Sequence, residues 1–184
     1  MEIEAKMKAP DLAAVRKKLE AAGAQHVGKV LETNSFFDTP QQSLRSADRG
    51  LRIRVAVDER GQRRCTVTMK GPAQKGQFKN REEVEFAADD SAAVQRIFEN
   101  LGYQPTLSFE KRRESWKLDN CKIELDEVPH LGTYVEIEAG SEQAVDRLRH
   151  SLALEKLELV KTSYISMIAR YVEEHQIKDR KITF

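Results

Sequence analysis

The chain has 184 residues, of which 40% are hydrophobic and 33% charged, and its formal net charge is +1. This length suits one domain with a sizeable core, and the balanced charge argues against a nucleic-acid-binding protein, which usually has a basic excess. No apolar run approaches a membrane span, and the acidic N-terminus is unlike a signal peptide. The two cysteines, Cys65 and Cys121, lack CxxC spacing. We therefore expect a cytoplasmic protein with reduced thiols.

Apolar periodicity and capping residues predict the secondary structure. Strands are indicated by alternation with a period of two, and helices by an apolar face that follows a Ser or Asp cap. In chain order, the sequence predicts a first strand at 2–6, a helix over 11–22, a strand that ends within 35–40, a hairpin of strands 51–57 and 63–70, a strand at 81–86, a helix over 91–102, strands at 111–118, 121–128 and 133–139, a helix over 141–152, a strand at 156–160 and a helix over 163–175.

The predicted strands share one feature, the alternation of apolar residues with long charged side chains. In the first strand Glu2, Glu4 and Lys6 lie two residues apart, so all three share one face. For any single strand, the alternative is a sheet with one solvated face, which alternates in the same way. The set as a whole favours another structure, because like charges cluster within each strand, and adjacent like charges cost stability unless opposite charges lie between them.

A closed barrel reconciles the charged faces with the helices. Four amphipathic helices must cover the apolar face of the sheet, which leaves the charged face to line an interior. The economical solution is an α+β fold in which the sheet closes into a barrel, with helices outside and charged residues in the lumen.

The inventory of charges predicts what such a lumen binds. Arginine forks match phosphate oxygens, while carboxylates cannot contact phosphate directly but hold hard divalent cations that bridge to it. A triphosphate carrying Mg²⁺ or Mn²⁺ fits this inventory. The candidate phosphate-binding residues are Lys6, Arg52, Arg54, Lys70, Arg81, Lys111 and Arg113. The acids on the same faces are Glu2, Glu4, Glu83, Glu85, Glu124, Asp126, Glu136 and Glu138.

The opening residues resemble a known family. The stretch EIEAK fits the ExExK signature of the CYTH superfamily, the triphosphate tunnel metalloenzymes. The match continues in the family's order through FFDTP, LRIR, TVTMKGP, REEVEF, KRRESW, IELDEVPHLGTYVEIE and TSYISMI. The stretch LDEVPHLGTYVEIE is most similar to the class IV adenylate cyclase (CyaB-type) branch. The resemblance implies a single domain over 1–184, an eight-stranded antiparallel tunnel, and a bound triphosphate with one or two divalent metal ions.

The resemblance also implies individual roles. Phe36 stands where several tripolyphosphatases of the family have a tyrosine that pairs with the signature lysine. Arg81 is placed from alternation more than from the motif, and Glu83 and Glu85 match tunnel acids of mixed role. The implied metal ligands are Glu2, Glu4, Glu124, Asp126, Glu136 and Glu138. The implied triphosphate contacts are Lys6, Arg52, Arg54, Lys70, Lys111 and Arg113.

The pattern favours an enzyme over two other classes of protein, a non-catalytic binding module and an RNA-binding domain. An enzyme would make cyclic AMP and pyrophosphate if the ribose 3′-hydroxyl of ATP attacked the α-phosphorus. It would be a triphosphatase for tripolyphosphate, thiamine triphosphate or a nucleoside triphosphate if water attacked the terminal phosphorus. A non-catalytic polyphosphate- or nucleotide-binding module would need few acids, and an RNA-binding domain would need exposed aromatics on its basic strands, where only Trp116 stands. We expect a small-molecule partner, no nucleic acid or membrane, and either a monomer or a homodimer.

Overall fold

The computed structural model describes residues 2–74 and 78–184, with the side chains of Glu2, Lys79 and Asn80 left out of the description. None of the helices in these ranges has the length and apolarity needed to cross a membrane. The strands are Glu2–Lys8 (β1), Gln25–Asp38 (β2), Gly50–Asp58 (β3), Arg63–Lys70 (β4), Lys79–Arg81 (β5), Glu83–Ala88 (β6), Gln104–Leu118 (β7), Cys121–Val128 (β8), Gly132–Ala139 (β9) and Lys181–Ile182 (β10). The helices are Leu12–Ala21 (α1), Ser43–Ser46 (α2), Ser91–Asn100 (α3), Glu142–Ser151 (α4) and Tyr164–Glu174 (α5).

The strands form one antiparallel barrel. Their order is β5-β1-β9-β8-β7-β2-β3-β4-β6, and the short β10 pairs in parallel with β7. Only Glu82 separates β5 from β6, and this segment pairs with β1 through its first half and with β4 through its second. The segment therefore acts as one bent strand between β1 and β4, and it closes the sheet into a barrel. With it, the barrel has eight strands, which confirms the expected α+β tunnel fold.

The outer face of the barrel is apolar because the apolar residues that alternate with the charged ones along each strand point outward. Ile123, Val135 and Ile137 are fully buried there, against Leu19 of α1 and Val145 of α4. Burial of one such side chain contributes about 1.5–3 kcal/mol to the free energy of unfolding. The outer core thus fixes which face of each strand points inward.

Helix α5 occupies a different position from the other long helices. Phe36 and Phe109 lie on the same face of β2 and β7 as the charged lumen residues, and their rings stack with centroids 6.0 Å apart. Both belong to a buried cluster with Tyr164, Ile168 and Val172 of α5. Helix α5 therefore packs against inward-facing residues and covers an apolar part of the lumen at one end of the barrel.

The strand predicted at 156–160 was wrong, because this segment does not form a continuous ladder with a neighbouring strand. Leu159 forms only an isolated bridge with Met7, flanked by hydrogen bonds from Lys8 N to Glu158 O and from Val160 N to Lys6 O, at 2.9 and 2.8 Å. The reason is that β5 pairs with β1 only as far as Glu4. The remaining edge of β1 is too short to pair with a full strand.

A buried carboxylate fixes α2 at the end of β2. Asp38 is 6% exposed, and its carboxylate accepts hydrogen bonds from the backbone N–H groups of Thr39 (2.7 Å), Leu44 (2.9 Å) and Arg45 (2.9 Å). These bonds satisfy donors that a helix as short as α2 could not pair by itself. Asp38 therefore orders the connection between β2 and β3.

We expect Asp38→Asn to lower the free energy of unfolding by about 1–3 kcal/mol, since an amide leaves buried N–H donors without an equivalent acceptor. Urea unfolding followed by circular dichroism would measure it. The matched control is Asp90→Asn, because Asp90 caps α3 through Ala92 and Ala93 but is exposed. An equal loss of stability in both variants would contradict the role of burial at Asp38.

Candidate functional site

The barrel encloses a cavity of about 880 Å³. Glu124, Asp126 and Lys6 do not line it. They are buried, at 2%, 0% and 3% exposure, and Glu124 and Asp126 lie against the lining residue Arg113. The side chain of Glu2 lies outside the described residues, so its expected role stays a prediction. The sequence-predicted residues that line the cavity are Glu4, Arg52, Arg54, Lys70, Arg81, Glu83, Glu85, Lys111, Arg113, Glu136 and Glu138.

Arg113 of β7 holds three acids of β8 and β9 together. Its Nε and Nη2 bind the two oxygens of Asp126 at 2.7 and 2.6 Å, and Nη2 also contacts Glu136. Glu124 Oε2 lies 3.8 Å from Arg113 Nε. Burial disfavours the charged guanidinium, yet Asp126 above all raises the pKa of Arg113 well above its usual range. Arg113 therefore stays charged, and its Nε and Nη2 donors are occupied by these acids.

Glu32 is a lumen acid that the sequence reading missed. It is 3% exposed, and its carboxylate lies 3.5 Å from Lys111 Nζ and 3.3 Å from Arg54 Nη1. Burial opposes ionisation, but Lys111 and Arg54 outweigh it and hold the pKa of Glu32 well below its usual range. The available signal was the spacing of Glu32 and Asn34, which lie four and two residues before Phe36, the first residue of FFDTP, and so share its face of the strand.

Tyr164 is a second residue that strand alternation could not identify, because it comes from α5. Lys6 Nζ lies 4.2 Å and Lys111 Nζ 5.0 Å from the centre of its ring, within the range of cation–π attraction. Its hydroxyl donates to Asp126 at 3.0 Å. Burial, followed by the charges of Glu136 and Asp126, raises the pKa of Tyr164 well above its usual range. The phenol thus stays protonated and orients the two lysines.

Two arginines keep unsatisfied donors beside the cavity. Arg52 binds Thr68 at 3.0 Å and lies 3.9 Å from Glu85, and Arg81 binds Asp48 at 2.8 Å. In the described part of the chain, the buried Nε atoms of Arg52 and Arg81 have no hydrogen-bond partner. Burial and the charge of Arg54 lower the pKa of Arg52 to about 10. An anion in the cavity would satisfy these donors and relieve the repulsion.

The donor chemistry fits a hard divalent cation. Glu4 lies opposite Glu138 in the pairing of β1 with β9, and both line the cavity with Glu136. Burial and the charge of Glu4 oppose ionisation of Glu136, yet nearby cations, above all Arg113, hold the pKa of Glu136 below its usual range. Oxygen donors are those that Mg²⁺ and Mn²⁺ prefer. Among the described residues no three donors already converge on one point, and the metal roles stay predictions.

We expect Glu32→Gln to lower the free energy of unfolding by about 3 kcal/mol near neutral pH, because it breaks a buried ion pair. A carboxylate with a depressed folded-state pKa contributes stability above its unfolded pKa, roughly 4.3, and this contribution is lost as pH falls through the folded pKa. The difference between wild type and variant should therefore shrink below about pH 4. Urea unfolding at a series of pH values would measure it.

The matched control for this prediction is Glu127→Gln. Glu127 pairs with Arg112 at 3.3 Å on the exposed surface, where an ion pair contributes about 0–1 kcal/mol. The same pH dependence in both variants would contradict the buried role of Glu32.

Comparisons with known proteins agree with this fold. The profile of the CYTH domain matches residues 1–171. "Putative adenylate cyclase MJ0240" of Methanocaldococcus jannaschii is 32% identical over 138 residues, 75% of this chain and 76% of that protein. The PH1819 protein of Pyrococcus horikoshii has a TM-score of 0.81, 25% identity and coverage of 93% and 99% of the two chains. HpAC1 from Hippeastrum, whose structure is described as revealing a dominant triphosphatase activity, has a TM-score of 0.71, 23% identity and coverage of 93% and 96%. The chain belongs to the CYTH domain family.

Proposed function

We propose that this protein is a divalent-metal-dependent enzyme that acts on a triphosphate joined to an organic group, with conversion of ATP to cyclic AMP and pyrophosphate as its first candidate reaction. What supports this function is the division of one cavity into a charged part and an apolar part. A volume of about 880 Å³ lies within the 300–1,000 Å³ usual for small-molecule sites.

The charged part suits the phosphates. Arg52 and Arg81 offer the unpaired donors, and Arg54 and Lys70 add positive charge along β3 and β4. Guanidinium groups bind phosphate oxygens in pairs and remain charged at any working pH. These side chains would bind the phosphate chain and offset the negative charge that develops during phosphoryl chemistry.

The apolar part suits an organic group. Phe36, Leu107 and Phe109 line the same cavity as the arginines, and α5 adds Ile165 and Ala169. A bare inorganic tripolyphosphate would leave this surface in contact with water, whereas a flat heterocycle would bury it. This favours a substrate such as ATP over an inorganic chain.

The acids of β1 and β9 would hold the metal. Glu4, Glu136 and Glu138 are the cavity-lining candidates, on adjacent strands. A bound Mg²⁺ or Mn²⁺ would supply charge neutralisation at the reacting phosphoryl group. Tyr164 would not serve as a base, because its raised pKa keeps the phenol protonated.

A triphosphatase is the second candidate, and the structural neighbour from Hippeastrum favours it through its described triphosphatase activity. The same side chains would bind the phosphates, and water would replace the ribose hydroxyl as nucleophile. The relative from Methanocaldococcus jannaschii, through its cyclase name, favours the first candidate.

The reaction can be tested by incubating the protein with Mg²⁺ or Mn²⁺ and, separately, ATP, thiamine triphosphate and tripolyphosphate. We expect cyclic AMP and pyrophosphate from ATP, resolved by chromatography, and loss of turnover with a chelator. Orthophosphate without cyclic AMP would select the triphosphatase. No turnover of any of the three, with either metal, would contradict an enzyme of this class.

We expect Arg52→Gln/Arg54→Gln to weaken binding of tripolyphosphate at least tenfold, which is about 1.4 kcal/mol, because both side chains line the cavity. Isothermal titration calorimetry without metal would measure the dissociation constant. The control is Arg96→Gln/Arg112→Gln, which removes two exposed charges elsewhere. Equal affinities in wild type and the lumen variant would place the phosphates elsewhere.

A further inference from the structure

One end of the cavity carries arginines to which the sequence reading gave no role. Arg45 within α2, Arg49 shortly after it, and Arg180 before β10 all line the cavity. Within the described ranges, no carboxylate forms an ion pair with any of the three. Arg45 Nη1 donates to Gln42 Oε1 at 3.4 Å, and Arg180 Nε donates to Thr106 O at 2.8 Å. Their charge is therefore available to a ligand.

Two acids that line the cavity with these arginines already have partners. Asp38 uses its carboxylate to accept backbone N–H groups around α2. Asp48 pairs with Arg81 at 2.8 Å and accepts from Ala73 N at 2.7 Å. Glu173 of α5 also lines the cavity, as an exposed acid. Hydrogen bonds from neutral N–H groups leave the charge of Asp38 in place, so three guanidinium groups face two carboxylates, those of Asp38 and Glu173. This still leaves an excess of positive charge at the α2 end.

The lining residue Lys122 is already matched by acids. It lies opposite Glu138 in the pairing of β8 with β9, and it is paired with Glu124 at 2.8 Å. Arg113 is likewise bound by Asp126 and Glu136. These basic side chains therefore carry less unmatched charge than Arg45, Arg49 and Arg180.

We propose that Arg45, Arg49 and Arg180 form an anion-capture site through which a phosphoanhydride chain enters the barrel. The identity of this ligand, though not the charge pattern, rests on the proposed function. In the lumen the basic side chains are matched by acids, so they exert little net attraction at a distance. Unmatched guanidinium groups at an opening focus the field and raise association rates. The ligand therefore meets the α2 end of the cavity first.

This direction of entrance orients the ligand. A triphosphate that enters past these arginines with its terminal phosphate first reaches the lumen, where Glu4, Glu136 and Glu138 line the same cavity. The organic group then stays beside Phe36 and Phe109 beneath α5, where the cavity is apolar. The charge of the arginines and the apolar lining thus independently favour a ligand whose phosphates point into the lumen and whose organic group lies under α5.

The site can be tested by the association rate of inorganic tripolyphosphate on immobilised protein, followed by surface plasmon resonance at low and high salt. We expect Arg45→Gln/Arg49→Gln to lower the association rate about tenfold at low salt, the lower end of the range for steering, with little change in the dissociation rate. The rates of wild type and variant should converge at high salt, where exposed charges are screened.

The matched control is Arg63→Gln/Arg64→Gln, which removes the same charge from exposed residues at the start of β4, the opposite end of the barrel. Circular dichroism checks the fold, and Arg49→Gln alone serves if the double variant unfolds. A wild-type rate in the α2 variant, or a larger loss in the control, would overturn the capture site. Binding that depends on Arg45 and Arg49 without any turnover would instead overturn the proposed function and leave the capture site standing.

Discussion

The ion pairs around Arg113 are the interaction on which the interior of this barrel depends. A buried charge is costly unless it is paired and hydrogen-bonded, and Arg113 meets this condition only because β8 and β9 bring Asp126 and Glu136 against it. Those acids in turn repel one another unless the guanidinium lies between them. The closed barrel and its charged lumen are therefore mutually dependent, since neither sign of charge could be buried there alone.

The need to pair each buried charge with an opposite one applies to the other strands as well. Lys111 and Arg113 of β7 lie between Glu32 of β2 and Asp126 of β8, so like charges within a strand face opposite charges across it. Cross-strand pairing thus resolves the repulsion that the sequence shows along each strand. A consequence for function is that a phosphate must replace acids that the lumen arginines and lysines already bind. The unpaired Nε donors of Arg52 and Arg81 mark where this exchange costs least.

Strand alternation predicted the barrel and most of the lumen because side-chain direction along a strand follows from geometry alone. It did not predict the full length of β2, where Gly28 at a bulge and few apolar residues hide the strand. Glu32 was missed with it. Tyr164 was missed because a buried tyrosine on an amphipathic helix looks like ordinary core, and its contact with Lys6 depends on how α5 docks. The span 156–160 has strand composition, but β1 offers it too short an edge.

The position of α5 links the substrate class to the stability of the C-terminal part of the chain. Ile165 and Ala169 form part of the apolar lining, and Tyr164 fixes lysines on the charged side. Both halves of the cavity therefore require α5 to be docked. A ligand that binds only the docked form stabilises it by mass action, and one with an organic group gains more from docking than a bare phosphate chain does. Discrimination between the two would then come from the apolar contacts that α5 supplies, while the arginines bind the phosphate chain that both share.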